Sequence, residues 1–402
     1  MMDLTEEEVS MLDGEHGTGV QKAMEILNVL GKIYNAERMV EIKSAQVSGV
    51  SYKNLGDAGL EFLGDLAGKG ARVRITTTLN PAGMDLRDWK RMGISREFAE
   101  KQLRVIGTFR RMGVEITCTC TPYLAGNLPE YGEHIAWSES SAVSYANSVI
   151  GARTNRESGI SALAAAMTGR TPSYGYHLDE NRLANCVIDV RCSLKNTADF
   201  CSLGYIIGKR IGNRIPYFRG IKKANNDQLK ALGAAMAASG AIALYHIEGI
   251  TPEAIRSDMI SENPEEIVID SLKDGYGALN SGVEKIDLVA IGCPHVSLEE
   301  IQRIVNLIDN RKLKTELWVM TSRNVEGLAA KDGLVEKIEN SGARIISDTC
   351  IIVAPVEDLG FKTIATNSGK TAFYAPSYCN VKVRFGSLEK CIRAALTGVW
   401  IE

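Results

Sequence analysis

The sequence predicts an α/β protein built on mainly parallel sheets flanked by helices. Three observations carry that expectation. β-rich runs alternate with helical patterns over short connections in the first third of the chain, and the same habit returns in the last third. Several strand-like runs also end in small or polar residues, as they do where a parallel sheet delivers loops to a site.

Taken in order, "LTEEEVSMLDGEHG" places Thr5 and Glu8 at capping-box spacing, so a short helix starts near Thr5 and a second runs from Gly19 to about Tyr34. Then follow "MVEIKSAQV" as strand, "NLGDAGLEFLGDLAGKG" as helix, "ARVRITTTL" as strand, "REFAEKQLRVIGTFRRMG" as helix and "VEITCTC" as strand. The middle, from about Trp137 to Glu253, is richer in Gly, Ser and Asn and flanks "SGISALAAAMTG", "NCVIDVRCSL" and "LKALGAAMAASGAIALYHIEG". Beyond it, "IDLVAIGC" precedes the helical "SLEEIQRIVNLIDN", "TELWVMTS" precedes "NVEGLAAKDGLVEKIENSG", and "ARIISDTCIIVAP" leads to "FKTIATNSGKTAFYAP". A last strand, "NVKVRFG", precedes a helix containing Cys391. Two lobes, 1–215 and 216–402, with loops meeting between them, are the expected arrangement.

With 402 residues the chain can bury a large core, and a net charge of −3 without a basic stripe argues against nucleic acid or an anionic membrane as partner. No apolar run reaches membrane-spanning length and the acidic start does not suit a secretory signal, so a cytoplasmic location is expected. The nine cysteines are odd in number, scattered, and contain no C-x-x-C pair, which argues against a disulfide framework or a zinc ribbon. No G-x-S-x-G, H-E-x-x-H or strand-borne G-x-G-x-x-G is present, and "TNSGKT" lacks the first glycine of a P-loop.

Three cysteines, Cys120, Cys293 and Cys350, fall at ends of strand-like runs. Thiolates from three strand ends suit a [4Fe-4S] cluster with one iron left open, although each cysteine taken alone reads more readily as a small core residue. Cys118 alternates with Cys120 in "TCTC" and is expected in the core. Gly369 and Lys370 at a helix start suit a carboxylate or phosphate, as do the loops "SGVSY", with Gly49, Val50 and Ser51, and "TLNPAG", with Asn80 and Pro81. The polar run "WSESSAVSYANSVIGARTNRE" adds Glu139, Ser140, Ser141, Asn147, Arg153, Asn155 and Arg156 between the lobes. Of the histidines, His16 between glycines is the candidate for a site role; His295 follows Pro294 and reads as structural.

These motifs, with "LDGEHG", "CTPYLAGNLP", "GCPH", "DTCIIVAP" and "NSGKTAFYAP" in the same order, make the whole chain resemble the large catalytic subunit of the aconitase X group. The resemblance implies an aconitase-like core of two or more lobes around a central iron–sulfur site. It implies cluster ligands at Cys120, Cys293 and Cys350, and substrate contacts at Gly49, Val50, Ser51, Asn80, Pro81, Glu139, Ser140 and Lys370. One branch of the group dehydrates (R)-5-phosphomevalonate to trans-anhydromevalonate 5-phosphate in a modified mevalonate route to isoprenoids; another acts on cis-3-hydroxy-L-proline. The small swivel domain is missing here, so the resemblance implies a separate small subunit, in a heterodimer or heterotetramer, carrying the general base as a serine. A phosphorylated hydroxy acid is the favoured substrate. An iron-responsive binding protein is the alternative of another class.

Overall fold

The computed structural model describes residues 2–401. Three parallel sheets follow one another along the chain. The first orders its strands as Thr76–Leu79, Ser44–Val47 and Ala136–Trp137. The second orders His246–Ile247, Pro216–Arg219, Ala184–Val190 and Ile260–Ile269. The third has five strands, in the order Arg344–Ser347, Glu316–Thr321, Leu288–Ile291, Thr363–Thr366 and Lys382–Phe385. Central strands such as Ser44–Val47 and Leu288–Ile291 are buried along their whole length, because helices cover both faces of a parallel sheet. Position 215 falls just before a strand of the second sheet, which therefore joins chain from both sides of that point. Among the described residues no helix is long and apolar enough to cross a membrane.

Local signals place most helices. Thr5 caps Glu6–Leu12 with Glu8 closing the box, and the next helix runs Thr18–Ile33. After Cys293, Ser297 caps Leu298–Ile308 and Glu300 returns the bond, which fixes where the chain turns after the thiol. "NVEGLAAKDGLVEKIENSG" forms two helices, Arg323–Lys331 and Leu334–Ser341, because Gly333 takes a left-handed conformation between them.

Three strand expectations shorten. "MVEIKSAQV" splits into Met39–Glu41, antiparallel to Arg170–Pro172, and Ser44–Val47 in the first sheet. At the break the Ile42 and Lys43 N–H groups donate to the Gly169 and His134 carbonyls. Only Thr76–Leu79 of "ARVRITTTL" is strand, since Val73 and Arg74 donate to the Met112 and Ala166 carbonyls. "VEITCTC" is not a strand: the Thr117 hydroxyl takes the Leu79 N–H, and the backbone turns at Cys118 with φ 42°. Cys118 still packs in the first core, as expected, and Cys120 leaves in another direction.

Candidate active site

The three cysteines reach one pocket of about 280 Å³ from three different stretches of chain. Cys293 follows the strand Leu288–Ile291 through Gly292, whose φ is +117° and where an added Cβ would lie 2.1 Å from the Met320 carbonyl oxygen. Only glycine allows that approach. Cys350 follows Arg344–Ser347 through Asp348, which Arg323 grips together with Asp85. The Ala82 N–H donates to the Asp348 carbonyl at 2.8 Å, joining the "NPAG" loop to this one. Cys120 arrives through the Thr119–Thr121 turn, where the Thr121 N–H donates to the Thr119 hydroxyl at 3.1 Å.

The thiols are electrostatically unequal. Cys293 is lowered to about 7, first by an S–H bond from Cys350 and then, against burial, by the Lys370 charge and the Thr371 hydroxyl. Cys350 moves up because it donates that bond and is buried. Burial and the nearby Glu139 carboxylate push Cys120 up to about 12. Of the three thiols, Cys293 is the one these contacts push down, while Cys120 and Cys350 are pushed up.

Lys370 occupies the second position of the helix Gly369–Tyr378. Ser368 caps that helix by accepting from the Thr371 N–H, and its hydroxyl donates to the Cys293 carbonyl, so helix start and cysteine loop are one unit. Lys370 pairs with Glu139 and reaches the Ser140 and Ser141 hydroxyls only at 3.5 Å. Burial alone would raise Glu139, but Lys370 and the bonds from Asn80 and Ser141 hold it at about 2. The Asn80 amide Nδ2 donates to Glu139 at 2.7 Å, and its Oδ1 is buried without a hydrogen-bond partner. An orphaned acceptor on a pocket wall suits a donor from a ligand.

Of the expected site residues, Gly49, Asn80, Pro81, Glu139, Ser140, Lys370, Cys120, Cys293 and Cys350 line this pocket. Val50 and Ser51 lie buried behind it. The Ser51 hydroxyl donates to the Val353 carbonyl at 2.7 Å, and Gln102 donates to the Val50 carbonyl at 2.9 Å. His16 lies elsewhere, between Ser10 and Arg74, and is not a lining residue. Lining residues not foreseen are Asn54, Ser138, Ile352, Val353, Tyr374 and Tyr378. The tyrosines follow Lys370 at four-residue steps, a spacing that puts all three on one helix face and was readable as such.

Among the described residues no trio of His, Cys, Asp or Glu is gathered tightly enough to hold a single metal ion. The three thiols instead share a pocket wall, with the His295 N–H donating to the Cys120 sulfur at 3.2 Å and Thr371 beside Cys293. Soft donors with hydrogen-bonded sulfurs fit an iron–sulfur group.

Models of three aconitase X domains match in sequence order: the first at residues 1–180, the second at 184–274 and the third at 286–397. The chain is 51% identical to the phosphomevalonate dehydratase large subunit of Methanocaldococcus jannaschii, over 98% of this chain and 100% of that protein. It is 36% identical to the cis-3-hydroxy-L-proline dehydratase of Pseudomonas aeruginosa, over 97% of this chain but 69% of that protein. The crystal structure of Thermococcus kodakaraensis aconitase X in its holo-form superposes with a TM-score of 0.92 at 49% identity, covering 98% of this chain and 100% of that one. With three domain models covering nearly its whole length and relatives at half identity end to end, this chain belongs to the aconitase X family.

Proposed function

We propose that this chain is the large subunit of a hydro-lyase that dehydrates (R)-5-phosphomevalonate to trans-anhydromevalonate 5-phosphate, in a modified mevalonate route to isoprenoids. The observation that carries the chemistry is the convergence of Cys120, Cys293 and Cys350 on the pocket that also holds Lys370, Glu139 and the unpaired Asn80 oxygen. The choice of substrate rests on the 51% identity to a phosphomevalonate dehydratase large subunit against 36% to a cis-3-hydroxy-L-proline dehydratase.

In this reading Cys120, Cys293 and Cys350 hold a [4Fe-4S] cluster. When bound, such a cluster with one iron not held by cysteine supplies a Lewis acid for the substrate carboxylate and the departing hydroxyl. The chain's own residues bind and orient. Lys370 exchanges Glu139 for an anionic group of the substrate, and the Asn80 Oδ1 accepts from a substrate hydroxyl. Arg156, exposed at the pocket mouth, meets the phosphate, and the Gly49, Val50 and Ser51 loop with Pro81 and Ser140 completes the wall. As the family resemblance implies, the acceptor for the α-proton is a serine of the small partner subunit, which also closes the pocket to water.

The test is to purify the chain anaerobically with its small partner and assay both substrates side by side. Dehydration of phosphomevalonate by the brown complex, and none by either subunit alone, is expected. Turnover of cis-3-hydroxy-L-proline alone would overturn the substrate, and an active, colourless, iron-free complex would overturn the cluster. Cys293→Ser is expected to remove both colour and turnover.

A further inference from the structure

His295 is fully buried, two residues after Cys293, and its atoms touch all three cysteine-bearing stretches. Its backbone N–H donates to the Cys120 sulfur at 3.2 Å. Its ring Nε2 lies 2.8 Å from the Thr349 carbonyl, one residue before Cys350. Its ring Nδ1 lies 2.9 Å from the Thr119 hydroxyl, one residue before Cys120. A carbonyl can only accept, so Nε2 carries the proton and Nδ1 accepts from Thr119 in a neutral ring. Behind the ring, Lys230 donates to the His295 carbonyl at 3.1 Å while held by Asp227 and Glu300.

We propose that His295 is the positioning residue that holds Cys120, Cys293 and Cys350 in one arrangement before any metal group binds. The proposal rests on reading these three thiols as ligands. Beyond the single weak S–H bond from Cys350 to Cys293, three thiols drawn from distant parts of a chain have little attraction for one another, and any that ionise repel. Something other than sulfur must hold the loops until the metal arrives. A donor and an acceptor on opposite edges of one rigid ring do so for two loops, while the residue's own backbone belongs to the third. Groups that orient ligands in this way change metal affinity by about 10–100-fold when removed.

Histidine is specific to the task. Phenylalanine keeps the volume and loses both ring bonds. Glutamine keeps a donor and an acceptor but on a freely rotating chain instead of a rigid ring, so it holds the two loops less well. The experiment uses the complex with the small subunit in two arms. In the first, iron per chain and the rate of colour loss to a chelator are measured for wild type, His295→Phe and His295→Gln. Loss about 10–100-fold faster in His295→Phe, with His295→Gln in between, is expected. In the second, the iron-free complex is labelled with iodoacetamide and each cysteine is followed by mass spectrometry. Cys120 and Cys350 are expected to label faster in His295→Phe, while Cys391, buried in the core of the third sheet, keeps its wild-type rate.

Wild-type rates at Cys120 and Cys350 in His295→Phe would overturn the proposal, as would equal acceleration at Cys391, which reports general loosening. If His295→Phe does not fold, Thr119→Val carries both arms; because that hydroxyl also accepts from the Thr121 N–H in the turn before Cys120, the deciding readout is Cys350, and an unchanged Cys350 would overturn the proposal. An iron-free wild-type complex sinks the ligand reading itself. An iron-loaded wild type beside an unaffected His295→Phe sinks the His295 assignment alone.

Discussion

Two buried lysines flank Cys293 from opposite sides, and they differ in how completely they are satisfied. Lys230, behind the loop, donates to Asp227 at 2.9 Å, to Glu300 at 2.5 Å and to the His295 carbonyl at 3.1 Å, so all three ammonium protons are used. Lys370, on the pocket side, has Glu139 as its one close partner and two hydroxyls at 3.5 Å. Both are pushed above the ordinary lysine range: burial opposes the charge in each, and carboxylates overcome it. A saturated lysine has nothing left to offer a ligand and serves the fold. An under-coordinated one beside three thiols and an unpaired amide oxygen can exchange its partner for a substrate anion.

Breaking each pair separates the two roles. Lys230→Met strands two half-buried carboxylates and releases the His295 carbonyl, so the largest effect is on stability. A loss of about 3–5 kcal/mol is expected from the denaturation of the iron-free chain. Lys370→Met combined with Glu139→Gln removes the other pair without leaving a bare charge. The double variant is expected to fold near normally and to lose about 100–1000-fold in kcat/KM. Wild-type turnover in that variant would show that the pair is structural after all.

Acid sharpens the contrast further. Glu139, faced by Lys370, Asn80, Ser140 and Ser141, is held at about 2 against an ordinary 4.5. Its contribution is complete above about pH 4.5 and is lost as the pH falls from there through 2, a change of about 3 kcal/mol. Glu300 is displaced the other way, upward, by its burial, Lys230 opposing and Asp227 adding to the shift. Glu300→Gln is therefore expected to leave the acid limb of the stability curve in place, whereas Glu139→Gln, measured alongside, flattens it. The smallest effect is expected from Ser140→Ala, whose hydroxyl touches Glu139 and Lys370 only at 3.4 and 3.5 Å: a change in KM of about 2–10-fold with kcat preserved.

The third sheet was legible almost throughout. Its central strands, Leu288–Ile291 and most of Glu316–Thr321, are apolar runs, and its helices carry caps, as Ser297 and Ser387 do. The first sheet was less so. "VEITCTC" has the composition of a strand, but Thr117 spends its hydroxyl on the Leu79 N–H and Cys118 turns left-handed, a competition that β-propensity does not register. At the site, the cysteines and Lys370 were readable because strand ends and helix starts are where parallel sheets bind ligands. His295 was passed over as an isolated histidine, since nothing in "GCPH" indicates that Thr119 and Thr349 lie on either side of its ring.

What the sequence by itself determined are the properties that depend on near neighbours: helix starts set by capping residues and buried parallel strands set by unbroken apolar runs. Only the tertiary structure decided which lysine faces the thiols and which is locked behind them, that Val50 and Ser51 sit behind the pocket, and that one buried imidazole joins three loops. Those outcomes depend on distances between residues far apart in the chain. Such distances are set by how sheets and helices pack, and composition and periodicity carry no record of them.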